Sequence, residues 1–197
     1  MKRVLLSLLA MALLTGCGTK PYARELEATM LVQVLGVDRT ENAVELTAAG
    51  DPTAGSGGTA PVLSAKGKDF EEAKANLRAA GEEYVSLTHV TQIVLGAETD
   101  LAAVLETALK EPVLSQSATV WLTQSGTAKE LLERVDGGVR RLASVELNSA
   151  VEPVTVLQSR MRLEERGWVE VPVLNVEEDV LTWVGTKRWL EDEHGTR

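Results

Sequence analysis

Glu27-Ala28-Thr29-Met30-Leu31-Val32-Gln33-Val34-Leu35-Gly36-Val37 is the stretch that decides the fold. Met30, Leu31, Val32, Val34, Leu35 and Val37 form a nearly continuous apolar, β-favouring run, too uniform for a strand with one wet face. It predicts a central strand covered on both sides. Asp38 to Asn42 follows as a polar, turn-forming cluster, and Val44, Leu46 and Ala48 then alternate with other positions as a hairpin partner would. Gly50 to Pro61, with Gly55, Gly57 and Gly58, is a connector of loop composition. Its glycines do not make a phosphate cradle, because the Gly-Lys-Ser/Thr that closes such a loop into a helix is missing.

Further along, Val62 to Gly67 is a short strand, and Asp69 with Glu72 three residues on resembles a capping box that opens a helix over Phe70 to Glu83. Phe70, Ala73, Leu77 and Ala80 lie on one stripe of that helix. Val90 to Leu95 predicts a buried strand. Leu101, Val104, Leu105 and Ala108 mark a helix ending before Pro112, and Ala118 to Leu122 is the next strand. Ala128, Leu131, Leu132 and Val135 give another helix, stopped by Gly137-Gly138. Strand and helix thus alternate between Val62 and Val135, which favours parallel strands under packed helices. Val139 to Ala150 and Val154 to Glu165 read as helices around Pro153, and Trp168 to Val176 and Val180 to Leu190 as a strand pair turning at Asn175 to Asp179. The predicted class is α+β (mixed α/β): a central mixed sheet with helices packed on it, ending in a C-terminal β-hairpin. One domain over 24–190 is expected, with a charged tail over 191–197 and no internal repeat.

Upstream of the domain, Lys2 and Arg3 precede an apolar run from Val4 to Leu14, then Thr15, Gly16 and Cys17. A basic start, a short apolar core and small residues make a signal peptide over 1–16. The apolar run is about half of the roughly twenty residues a helix needs to cross a membrane, so a permanent span is the weaker reading. Leu14-Thr15-Gly16-Cys17 has the form of a lipobox, with cleavage between Gly16 and Cys17 and diacylglycerol on the thiol. Cys17 is the only cysteine, and in an oxidising compartment it would otherwise be an unpaired thiol. Two acyl chains suffice for stable anchoring, where one is marginal. Residues 17–23 then read as a tether between the lipid and the domain.

Loss of Lys2 and Arg3 with the signal peptide leaves eighteen basic residues against twenty-nine acidic ones, a net charge of −11 with both histidines neutral. That balance speaks against nucleic acid as a partner and against a polybasic contact with anionic lipid. The expected partner is the membrane, through the lipid.

Catalytic signals are poor. The sole thiol is expected to be acylated, Ser56 lacks a nucleophile elbow, and neither His89 nor His194 has a recognisable partner. His89, just before a strand, is expected to satisfy a local backbone group. No metal-ligand spacing occurs, so no cofactor is expected. The acidic pairs Glu71-Glu72, Glu82-Glu83 and Glu177-Glu178 are expected to face solvent, since neighbouring helical carboxylates point about 100° apart. Trp121, Trp168, Trp183 and Trp189 favour the core, with Trp189 the best surface candidate.

The order of these pieces resembles the N-terminal domain of the Ger(x)C (GerAC-like) lipoproteins, the C subunits of spore germinant receptors. Behind the lipobox, Arg24-Glu25-Leu26-Glu27 and Val34-Leu35-Gly36-Val37-Asp38 resemble the family's Arg-Glu-Ile-Glu and Gly-Ile-Asp segments. Ala73 to Leu77, Leu87-Thr88-His89 and Ile93-Val94-Leu95-Gly96 resemble its helix, histidine and apolar strand ending in Gly-Glu, although Gly96-Ala97-Glu98 departs from that ending. Val120 to Leu122, Ala128-Lys129-Glu130-Leu131-Leu132 and the hairpin segment Trp183-Val184-Gly185 also have counterparts. Gly18-Thr19 replaces the usual Trp-Asp after the cysteine, and the family's large C-terminal domain is not expected here. The resemblance implies a non-enzymatic adaptor or structural subunit, lipid-anchored (palmitate on Cys17) at the outer face of the spore inner membrane, beside polytopic A- and B-type receptor subunits. A separate reading of the residues is an envelope lipoprotein that binds a small ligand or cell-envelope component.

Overall fold

The computed structural model describes residues 29–40, 42–50, 62–81, 84–135, 138–148 and 152–190. In chain order the elements are β1 Thr29–Arg39, β2 Val44–Gly50, β3 Val62–Gly67, α1 Phe70–Ala80, β4 Tyr84–Ser86, β5 Gln92–Leu95, α2 Leu101–Lys110, β6 Thr119–Thr123, α3 Ala128–Arg134, α4 Gly138–Asn148, α5 Val156–Arg166, β7 Trp168–Glu177 and β8 Val180–Leu190. They build one mixed eight-stranded sheet in the order β3-β2-β1-β5-β6-β7-β8, with β4 also paired to β1. The middle strands β1, β5, β6 and β7 run parallel, and antiparallel pairs close both sides.

β1 is the central strand that its unbroken apolar run requires. Leu35 and Val37 face one layer, formed with α1, α2 and α5, while Val34 faces the other, formed with α3 and α4. Val32 shares the face of Leu35 because the ladder to β2 slips between Val32 and Val34, inserting Gln33 as a bulge. The carbonyl of Gln33 accepts the Thr91 backbone N–H at 2.9 Å, so the irregularity leaves it no orphan acceptor. A second slip at Val173/Leu174 against Trp183 and Gly185 does the same in the hairpin: Leu181 packs on α4's side and Trp189 on the opposite one.

The helices start where side chains can take their orphan N–H groups. Asp69 accepts from Glu72 N at 2.9 Å, Asp100 from Ala102 N at 2.9 Å, and Thr127 with Glu130 and Thr155 with Gln158 form reciprocal capping boxes. Gly167, at φ 73°, ends α5 in the left-handed conformation and turns the chain into β7.

The α+β class, the central strand and the terminal hairpin agree with the sequence reading, while three expectations are corrected and one strand is added. The Val62–Gly67 strand is an antiparallel edge on β2 rather than part of the parallel set, since only eleven residues separate Gly50 from Val62, fewer than a parallel crossover takes. α1 stops at Ala80, with Gly81 as its cap, rather than reaching Glu83. β4, a three-residue strand lying beside the start of β1, was not anticipated. Asp38, expected in a turn, belongs to β1 and is buried.

The β7–β8 turn puts Glu178 at φ 49° and Asp179 at φ 62°, both left-handed, where asparagine and glycine are more at ease. Arg141 holds the Asp179 carbonyl from α4. Replacing Glu178 with Asn should therefore raise stability by on the order of 0.5 kcal/mol, measured as a higher urea midpoint at unchanged slope.

Candidate functional site

Asp38 is the most constrained charged side chain of the sheet, only 7% exposed at the carboxyl end of β1. Its two oxygens accept the backbone N–H groups of Ala128 at 2.7 Å and Lys129 at 3.0 Å, the first residues of α3. A helix N-terminus carries unpaired donors and a partial positive charge, so this is where a carboxylate is best placed. Room for it depends on Gly96, where a Cβ would lie 2.2 Å from Asp38 Oδ1. Gly96 N donates to the Val37 carbonyl at 3.1 Å, and Thr99 Oγ1 accepts from Arg39 N at 3.1 Å, so the end of β1 is tied to the loop leaving β5. Nearby, Lys129 Nζ reaches Glu45 Oε1 at 2.9 Å and Lys66 lies 3.4 Å from its other oxygen, which offsets the second acid beside Asp38.

Burial pushes the Asp38 carboxyl above the ordinary aspartate range. The two backbone N–H groups pull the other way without cancelling it, and Glu45 and Glu130 add to the upward push. For a carboxyl raised in the folded state, the associated stability is fully present below the unfolded value of 3.8 and is lost as pH rises through the folded one.

On the other face, α1, α2 and the ends of β1 and β2 enclose a cleft of about 360 Å³. Val37, Val44, Phe70 and Val104 give it an apolar floor, and Arg39, Lys68 and Lys110 stand at its rim. Its wall holds a buried ion network: Lys74 bridges Glu71 at 2.9 Å and the buried Glu111, and sits 5.9 Å from the Phe70 ring centroid. Burial is the largest single influence on the Glu111 carboxyl and would raise it, but the hydrogen bonds from Lys74 and the Val113 N–H, the shared contact with Glu71 and the charge of Lys74 together outweigh it, and the group titrates below the usual range. Lys74, likewise opposed by burial, is raised by its bonds to Glu111 and Glu71. Beside the cleft, a Cβ at Gly67 would meet Ala73 N at 2.2 Å, so only glycine lets β3 close onto the first turn of α1.

The residues singled out by sequence are scattered. Leu14, Thr15, Gly16 and Cys17, together with the tether, the Arg24–Glu27 segment, the loop over 51–61 and the tail with His194, lie outside the described residues. His89 is exposed in the turn between β4 and β5, and among the described residues it makes no hydrogen bond to a backbone group, contrary to expectation. Trp121 is fully buried, and Trp189 is buried at 7% instead of being the surface tryptophan. Trp168 and Trp183 are half-buried, and Trp168 is stacked under Arg188 at 4.3 Å. Among the described residues no cluster of three or more His, Cys, Asp or Glu could hold a metal, and no helix is long and apolar enough to cross a membrane. Sequence reasoning missed Asp38 and the cleft. The signal for Asp38 was the position of a lone acid directly after a strand buried on both faces.

Architecture and pin together define an α+β domain whose best-placed helix terminus is occupied by its own carboxylate. Compared with known families, residues 22–153 match the model of the spore germination protein N-terminal domain. The chain belongs to that family, which gives it a role in spore germination and a spore-associated location. No curated protein and no solved structure matches it. Asp38 closes the Gly36-Val37-Asp38 segment, and the glycine that makes room for it is Gly96.

Removing both acceptors with Asp38→Ala leaves two N–H groups unpaired and should cost about 1–3 kcal/mol by denaturant titration. Gly96→Ala should cost a similar amount by overpacking, about 1–3 kcal/mol, but much less in the Asp38→Ala background, where the oxygen it strikes is gone. Asp38→Asn keeps the shape without the titration, so the advantage of the native chain over this variant should shrink as pH rises above 3.8 and level off once the folded carboxyl has ionised.

Proposed function

We propose that the chain is a non-enzymatic, lipid-anchored subunit of a germinant-receptor-like complex, held by acyl chains on Cys17 at the outer face of the spore inner membrane. Polytopic A- and B-type subunits are its partners. The observation that carries this reading is the family membership of residues 22–153 directly behind Leu14-Thr15-Gly16-Cys17. A lipid on Cys17 confines the domain to the plane of its partners and raises their effective concentration without adding a contact. The inventory of polar groups supports an adaptor. Asp38 is spent on α3, Glu111 and Glu71 on Lys74, and Glu45 on Lys129 and Lys66. His89, exposed on its turn, has no buried acid hydrogen-bonded to it among the described residues.

Metabolic labelling with a palmitate analogue should mark the native chain and not Cys17→Ala. Affinity capture of tagged protein from detergent-solubilised spore membranes should bring down polytopic receptor subunits, and Cys17→Ala should recover markedly less. Capture without such subunits, from spores that contain them, sinks the receptor reading even if labelling succeeds.

A further inference from the structure

The pairing register at the end of the sheet places Arg39 opposite Val44, and Val44 opposite Gly67. Two interstrand spacings, about 10 Å, separate the backbone of Arg39 from that of Gly67, and Lys68 follows directly. One cation therefore stands on each side of Val44 at the mouth of the cleft between α1 and α2. The acids around it are already committed: Asp69 caps α1, Glu71 and Glu111 share Lys74, and Glu106 holds Lys110. Neither Arg39 nor Lys68 makes a side-chain ion pair among the described residues and both side chains are exposed, while Glu106 feels the charge of Arg39 and Glu72 accepts the Lys68 backbone N–H at 2.9 Å. Beneath them the floor is Val44, Phe70 and Val104, and the space is about 360 Å³. An apolar floor with a few convergent polar groups is the usual make-up of a small-molecule site, and this volume lies at the small end of the range.

We infer that this cleft binds a small organic monocarboxylate with a compact apolar body. The carboxylate bridges Arg39 and Lys68, with the guanidinium offering its planar fork, and the body rests on Val44, Phe70 and Val104. A second negative charge on the ligand is disfavoured, because Asp69 and Glu71 stand on the same rim. The site is on the opposite side of the sheet from the Asp38 pin, so occupancy leaves α3 in place. This inference does not rest on the receptor reading, whose palmitate and capture outcomes are unaffected by it.

The test uses the chain from residue 17 onward with Cys17→Ala, labelled for NMR and titrated with phenylacetate. Phenylacetamide serves as the uncharged match and acetate as the match without an apolar body. Saturable shifts confined to the Val44 and Val104 methyls and the Phe70 ring are expected, with both controls weaker by about tenfold or more, the equivalent of at least 1.4 kcal/mol. The pair Arg39→Gln with Lys68→Gln should weaken phenylacetate by a similar factor while leaving the rest of the spectrum unchanged. Lys66→Gln, which removes a charge from the neighbouring strand outside the cleft, should have little effect. Equal affinity for the amide, shifts centred elsewhere, or no saturation at millimolar phenylacetate would overturn the inference.

Discussion

A single buried carboxylate decides how the two sides of the sheet are assembled. Asp38 leaves the end of β1 and takes two N–H groups from a helix ninety residues further along the chain. The chain leaves β5 toward α2 on one face and leaves the adjacent β6 toward α3 on the other, so the crevice between them is a topological switch point. In open α/β sheets such a crevice and its helix N-terminus commonly receive an anionic ligand. Here the anion is supplied by the protein itself. The position that would ordinarily carry ligand chemistry is closed, and the open concavity lies instead between α1 and α2.

What could be read in the sequence followed the strength of local periodicity. β1 was legible because a strand buried on both faces leaves an unbroken apolar run, and α1, α2 and α3 because each shows an apolar stripe behind a capping residue. β4 was not, since three residues with one buried side chain carry no period. The direction of β3 was misjudged because alternation of element types reports packing, while parallel or antiparallel pairing depends on the length of the connection. Trp189 reads as a surface candidate because nothing in the sequence marks the slip at Val184, which moves the rest of β8 to the other face. Asp38 was hidden for a related reason. An acid next to turn-forming residues is usually turn chemistry, and its actual donors are tertiary.

The acidic composition translates into few unbalanced charges near the sheet. Lys129 and Lys66 flank Glu45, Lys74 joins Glu71 to Glu111, and Arg134 lies 3.8 Å from Asp179 at the hairpin turn. Exposed pairs of this kind add little stability individually, so their effect is chiefly on where charge remains available. Excess acid is left to solvent, while Arg39 and Lys68 make no side-chain ion pair among the described residues at the cleft. The shared lysine is different in kind. Lys74 and Glu111 are largely withdrawn from water, and losing either one would strand the other in an apolar wall.

The register of β1 has a kinetic consequence. Its parallel neighbour β5 lies some sixty residues later, and its helix partner later still, whereas β7 and β8 meet through a two-residue turn. Pairing of high contact order is slow because loop entropy is lost before contacts compensate it. The hairpin at the C-terminal end can therefore form as soon as it exists. β1 meets β2 locally, but its other edge is among the last parts of the sheet to be locked, and until β5 and α3 arrive that apolar flank stays open to chaperones, to proteases and to copies of itself.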